Sequence, residues 1–264
     1  MSPAQPDLLA VVEQSPLAAG AHDRTAWVGL FTNDGQVEDP VGSRPHVGWT
    51  QIGRFYDTFI GPRDITFHRG LDIVRGSTVV RDLELEVAMG TAVTMHIPAV
   101  LRYDLRQVDD QWKLARLRAY WDLPAMMWAF SQNGRAAVPA GAELARALLT
   151  NQGLRGSAGF VAGFRRPGVR AKNTVRTFVA ALAHADLSAA SRRLTASAEV
   201  GYGDNDSTDL ADLGRQLAGA RSTRMLGAGS TVAVSIGSDR RCGVLFADVA
   251  RRGTLITRVR YFPA

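Results

Sequence analysis

Two stretches of this 264-residue chain repeat one layout at a fixed separation. Gly20-Ala21-His22-Asp23 closes an alanine-rich helical segment, and a short helical stretch then leads to Leu30-Phe31 and Val37. Ala183-His184-Ala185-Asp186 does the same and leads to Leu194 and Val200. Asp23 to Val37 and Asp186 to Val200 each span 14 residues. The closing segments match as well: Leu114-Ala115-Arg116-Leu117-Arg118-Ala119-Tyr120-Trp121 against Ile256-Thr257-Arg258-Val259-Arg260-Tyr261-Phe262. Both alternate apolar residues with arginine and end on aromatics, the period-2 pattern of a half-buried strand. A layout kept over that distance implies duplication of a domain-sized unit. Whatever fold the chain adopts must therefore fit twice into its length.

In the first copy, apolar spacing predicts helices over residues 8–19, 24–31 and 50–59. Strands are expected over 65–67, 71–74, 78–89, 92–104 and 112–121, with Pro98 marking a bulge or an edge position. Helices followed by a long antiparallel meander is an α+β pattern. The second copy opens with a helix over 174–185 and runs to Tyr261, its smaller size ascribed to tighter connections. The expected division is a domain over 1–124, a helical linker over 125–169 and a shorter domain over 170–264. The linker holds the apolar run Met126-Met127-Trp128-Ala129-Phe130. Three roles stay open for it: packing between the domains, a lid over the first pocket, or peripheral contact with a membrane surface.

The run Leu30-Phe31-Thr32-Asn33-Asp34-Gly35-Gln36-Val37-Glu38-Asp39-Pro40-Val41-Gly42-Ser43, followed by Ile52-Gly53-Arg54-Phe55-Tyr56, resembles the ketosteroid (steroid Δ5) isomerase and SnoaL-like branch of the NTF2-like superfamily. The resemblance covers residues 17–123. It implies an α+β fold: two cone-shaped domains, each with N-terminal helices on a curved antiparallel sheet, paired as an intrachain pseudo-dimer in a monomeric chain. It also implies that Asp39 is a catalytic base moving a proton between carbons of a hydrophobic steroid- or polyketide-like carbonyl compound. Tyr56 matches a supporting tyrosine, and Trp121 an aromatic that lines the ligand pocket. The positions of the two oxyanion donors of those isomerases fall on or near Ser15 and on Ala99, so both donors are missing at the matched positions. Tyr103 shares the strand face of Ala99 and is the candidate stand-in. Substrate contacts are thus expected at Tyr56, Ala99, Tyr103 and Trp121. On the residues alone, Asp39 can also be read as the opening of an Asp-Pro turn.

Asp82, Glu84 and Glu86 alternate with Leu83, Leu85 and Val87, so the three carboxylates share one sheet face. That face is either solvated or turned inward, where a second carboxylate would suit an epoxide-opening or cyclising enzyme. A non-catalytic binder of an apolar small molecule is the third reading. The second copy has Tyr202 and Phe178 at the positions of the base and the first donor, while Asp204 and Asp206 sit in a polar turn. No metal or other cofactor is expected, because no ligand cluster or phosphate-binding loop is evident. Net charge is +6 with a pI near 10.1, yet the basic residues form no dense block and no nucleic-acid partner is expected. The loosest grouping is Arg155, Arg165, Arg166, Arg170, Lys172 and Arg176. A lone Cys242, and no signal-like or membrane-spanning segment, give a cytoplasmic expectation.

Overall fold

The computed structural model describes residues 7–89, 93–134, 137–147, 150–151, 167–238, 242–252 and 254–264. The first unit opens with α1 (Leu8–Gly20) and α2 (Arg24–Gly29), capped by the Asp7 and Asp23 side chains. Next come β1 (Phe31–Glu38), the short β2 (His46–Val47) and α3 (Gly48–Phe55), which widens into a π-helical turn, Tyr56–Ile60. The meander is β3 (Ile65–Arg75), β4 (Thr78–Met89), β5 (Val93–Val108) and β6 (Gln111–Tyr120). Two linker helices follow, α4 (Leu123–Ser131) and α5 (Ala137–Ala147). The second unit repeats the sequence of elements with α6 (Val169–Ala183), α7 (Leu187–Ser191), β7 (Leu194–Tyr202), β8 (Asp206–Ser207) and α8 (Leu210–Leu217). It ends with β9 (Arg221–Ala228), β10 (Thr231–Gly237), β11 (Cys242–Val249) and β12 (Ile256–Pro263).

The two sheets have the same strand order, β2-β1-β6-β5-β4-β3 and β8-β7-β12-β11-β10-β9. Their registers correspond as well: Glu38 pairs with Arg118 where Gly201 pairs with Arg260. Even the backbone turn after the first long helix recurs, with His22 and Ala185 both at positive φ, 53° and 58°. The meanders are antiparallel, while β1 pairs with β6, and β7 with β12, in parallel. Each sheet is therefore mixed, not purely antiparallel.

Other differences from the sequence reading are local. Phe31 opens β1 rather than closing a helix, because its ring is fully buried against Trp27, 5.0 Å away between centroids. The two short strands expected over 65–74 are one strand with a register shift at Gly70, where a Cβ would lie 3.1 Å from the Asp82 carbonyl oxygen. Pro98 sits in the middle of β5, but β6 begins pairing only at Val100, so the proline's missing N–H faces an unpaired edge. The second unit is smaller because its meander strands are shorter, 7–8 residues against 10–16, not because its turns are tighter.

Alternation along the strands gives each sheet two apolar faces. Val79, Leu83, Ala99, Leu101 and Tyr103 point to the helices and form the first core. Val80, Val100 and Tyr120 point the other way and meet Leu226, Val244, Phe246 and Phe262 of the second sheet. Charged pairs frame this contact: Arg75–Asp206 at 2.6 Å, Arg224–Asp82 at 3.0 Å and Arg102–Asp204. Asp204 and Asp206 thus belong to the joint between the units. Gly229, at φ +59°, lets the β9–β10 turn lie against Gly42, where a Cβ would be 3.1 Å from the Gly42 Cα. Of the three roles open for Met126–Phe130, packing between the domains is not the one its described contacts show, since none of these residues belongs to the apolar cluster of the joint. Met126 packs on the first core, and Phe130 clusters with Val93 and Met95. Of the basic grouping, Arg155, Arg165 and Arg166 lie outside the described residues.

Candidate functional site

A cavity of about 120 Å³ opens in the first unit between the helices and the inner sheet face. Phe55, Phe59 and Ile60, from α3 and its π-helical extension, form one wall. Ile65, Leu85, Val87, Met89 and Ile97 form the other, where β3 and β5 flank β4. Met126 of α4 and Leu144 of α5 close it from the linker. Only three of the lining side chains among the described residues carry a polar atom: Asp39, Trp121 and Arg63.

Asp39 follows the last residue of β1, with the strand parity of the buried Val37, and so turns inward while Glu38 turns out. The peptide to Pro40 is cis. Glu38 is occupied elsewhere, its Oε1 accepting the Gly42 N–H at 2.8 Å. Trp121, just past β6, donates its indole Nε1–H to Asp39 Oδ1 at 2.5 Å. Burial in the apolar chamber pushes the Asp39 carboxyl up to about 6, and the Trp121 hydrogen bond works against that rise. Half of the group is therefore ionised near pH 6. It combines basicity unusual for a carboxylate with a fixed orientation.

The other expected site residues lie elsewhere. Tyr56, Ala99 and Tyr103 are packed in the first core and do not line the cavity. The Tyr56 ring packs tilted against Trp27, 5.6 Å between centroids, and its hydroxyl lies in the field of Asp23, Arg24 and Asp57. Tyr103 is pushed up to about 12 by burial, and its hydroxyl meets Ser15. Ser15 Oγ also accepts the Trp27 indole N–H at 3.1 Å, so the position matched to an oxyanion donor serves the core. Glu84 and Glu86 face away from the cavity and pair with His96 and His68, at 3.1 and 2.7 Å. With Asp82 bound to Arg224, this is the outer face of β4. Asp39 is the only carboxylate among the described lining residues.

Of the lining residues, sequence reading placed Asp39 and Trp121 at the pocket and left a lid open as one role of the run that holds Met126; Arg63, Leu144 and the other apolar wall residues escaped it. Arg63 sits in a turn with no periodicity, and the two linker residues lie beyond the matched run. The second unit offers no counterpart to Asp39. Tyr202, at the equivalent place, packs on Tyr261 with ring centroids 6.3 Å apart, and Arg75 of the first unit lies 5.6 Å over its ring. Phe178 is fully buried in the second core.

Residues 8–122 match the family model of the Nuclear transport factor 2 (NTF2) domain. Among solved structures, the chain is similar to RV0760c of Mycobacterium tuberculosis, solved in complex with estradiol-17beta-hemisuccinate. Identity there is 23%, over 46% of this chain and 97% of the other, with a TM-score of 0.42. It is also similar to a Delta 5-3-ketosteroid isomerase from Mycobacterium sp., at 26% identity over 45% and 95% of the two chains, TM-score 0.41. A third is an NTF2-like protein of unknown function from Cytophaga hutchinsonii ATCC 33406, at 12% identity over 48% and 99%, TM-score 0.37.

Proposed function

We propose that the N-terminal half of this chain, which matches the NTF2 domain model over residues 8–122, is a domain of that family whose cavity binds a hydrophobic carbonyl compound and moves a proton on it. Asp39 is the base. It takes a proton from the carbon next to the carbonyl, the bonding electrons delocalise towards the carbonyl oxygen, and the same proton returns to the γ-carbon, so the double bond shifts. Trp121 holds the carboxylate in one orientation throughout. The apolar walls exclude water, which would otherwise compete for the proton. The observation that carries this reading is the single inward carboxylate, proton affinity raised to about 6 in a wall of hydrocarbon side chains.

A second reading, a binding protein without turnover, is favoured by the placement of Tyr56 and Tyr103 in the core. No neutral hydroxyl among the described lining residues faces a developing oxyanion, and one such donor typically contributes roughly 10²–10³ in rate. The cyclising alternative needs a second carboxylate, which is not among the described lining residues, and is set aside. The proposed domain limits remain 1–124 and 170–264, with 125–169, which holds α5 and all but the first turn of α4, as the linker.

Asp39→Asn separates the first two readings. It keeps the shape and the acceptor for Trp121 but removes the proton acceptor. Turnover of a β,γ-unsaturated ketone is expected to fall by at least a hundredfold, with ligand affinity within about threefold of wild type. Equal rates for both proteins would leave binding as the function.

A further inference from the structure

Asp39 and Trp121 meet inside the first unit, yet the residues beside each of them are held from outside it. Trp121 stands between Tyr120 and Asp122. The Tyr120 ring packs on Phe246 of β11, 4.8 Å between centroids, in the apolar cluster of the joint. Asp122 is 9% exposed and pairs with Lys172 of α6 at 2.7 Å. On the other segment, Val41 belongs to the same joint cluster as Leu226, Ala228 and Ala233. Gly42 lies so close to Gly229 that a Cβ on Gly229 would sit 3.1 Å from the Gly42 nitrogen. The two segments are also tied to each other, since the Val41 N–H donates to the Ala119 carbonyl at 2.8 Å. Tyr120, Asp122, Val41 and Gly42 thus rest on the second unit, while Asp39 and Trp121 turn the other way into the cavity.

Both members of the pair lie just past the ends of their strands, β1 at Glu38 and β6 at Tyr120. A contact between two side chains is only as fixed as the main chains that carry them, and proton transfer is sensitive to small displacements. We propose that the second unit is a positioning element for the chemistry of the first, with Lys172 and Gly229 the residues that set the Asp39–Trp121 contact from behind. That role rests on the reading of Asp39 as the base. It gives a unit with no base of its own a part in the reaction. Without Lys172 the Asp122 carboxylate would keep its burial and lose a cation, so it would be drawn towards water and take the main chain of Trp121 with it. A methyl group on Gly229 would press on the Gly42 main chain and shift the turn that follows Asp39. Burial and the Trp121 bond set the proton affinity of Asp39, and the charge of Lys172 takes no part in it. A change in that affinity on replacing Lys172 therefore records a displaced indole.

The test titrates Asp39 in the full chain by carbon-13 NMR of the aspartate carboxyls, its signal identified by its absence from Asp39→Asn, alongside turnover of a β,γ-unsaturated ketone. The Trp121 bond lowers the proton affinity, so weakening it should raise the titration midpoint. Lys172→Met and Gly229→Ala, which act on different segments, should each raise it by roughly half a pH unit and cut turnover about tenfold. Lys172→Arg should restore most of both. Asp206→Asn breaks an ion pair of the joint with Arg75 that touches neither segment, and should leave midpoint and turnover as in wild type. A midpoint unmoved in both Lys172→Met and Gly229→Ala overturns the positioning role. An equal shift in Asp206→Asn overturns it as well, because any loosening of the joint would then suffice. Midpoints that move as expected in a protein without turnover support the role of the second unit and overturn the reading of Asp39 as a base.

Discussion

The chemistry of Asp39 is set by two opposed influences, and their sizes predict two pH effects. Burial raises the carboxyl from the usual 3.8 to about 6, although the Trp121 N–H stabilises the charged form. A base must be ionised to work, so proton transfer should rise about tenfold per pH unit below 6 and level off above it, as a pH–rate profile would record. A plateau already reached at pH 5 would mean that the base is another group. Stability runs the other way. A carboxyl raised on folding binds its proton more tightly in the folded chain. Its favourable contribution is full below pH 3.8 and is lost as pH rises through about 6. Above that, the buried charge is a standing cost, so Asp39→Asn should stabilise the protein by roughly 1–3 kcal/mol at pH 7.5 and by almost nothing near pH 3.5. Denaturant titrations at the two pH values measure it, and a pH-independent difference would contradict the assignment. At this scale sequence reading put Asp39, in a distinctive run, and Trp121, at the end of the closing strand, at the pocket, and both line the cavity. It misplaced Tyr56 and Tyr103 at the cavity because parity gives the face of a strand but not the depth along it. Arg63 was invisible: nothing distinguishes one arginine in a turn from the many others on the surface.

Between residue and molecule, the elements most legible in sequence are those whose burial is one-sided. β4 was bounded correctly because alternation runs its full length, and α1 because apolar residues at helical spacing end before His22. The linker was not legible, since Met126–Phe130 is apolar on every side and so fits several roles. In the structure α4 starts at an N-cap, Asp122, which accepts the Ala125 N–H at 3.1 Å and pairs with Lys172 of α6 at 2.7 Å. That double engagement fixes the start of the helix to the second unit while Met126 reaches into the first cavity. The cavity, at about 120 Å³, is well below the roughly 300 Å³ of ordinary ligand pockets. A ligand the size of a steroid enters only if Met126 and Leu144 yield. Met126→Ala should therefore speed ligand association several-fold and raise affinity for bulky apolar ligands more than for small ones. Its cost in stability is about 1–2 kcal/mol, because Met126 is only partly buried. Stopped-flow fluorescence decides: unchanged association rates would show that α4 does not stand in the path.

On the scale of the whole molecule, the duplication explains why one unit lacks a base. The second unit fills its interior with Phe178, Leu213, Leu217 and Tyr261, and offers its outer sheet face to the first. That face is where the ionic framework is concentrated. Arg102 is 1% exposed and is held by Asp104 at 2.8 Å and by Asp204 from the other unit, with the Phe262 ring 5.2 Å from its guanidinium. Those two carboxylates lie below the ordinary aspartate range in spite of burial, because Arg102 and Arg118 stabilise their charge. Removing one partner leaves a buried cation half-compensated, so Asp204→Ala should cost roughly 1–3 kcal/mol, more than its place in a polar turn suggests. The repeat made two like units legible in sequence, but not which faces meet, since both faces of these strands are apolar. Cutting the pair apart tests the joint. A fragment of residues 1–124 keeps Asp39 and most of its own core but loses Met126 and Leu144 from the cavity wall, and it exposes Val80, Val100 and Tyr120 and strips Arg102 of Asp204. Such a surface seeks a replacement, so the fragment should aggregate or pair with a second copy through the same face. The full chain, with that face already covered, should run as a monomer near 28.5 kDa. Light scattering on the two proteins distinguishes the outcomes, and a soluble, monomeric 1–124 fragment would mean that the second unit has a task other than covering the first.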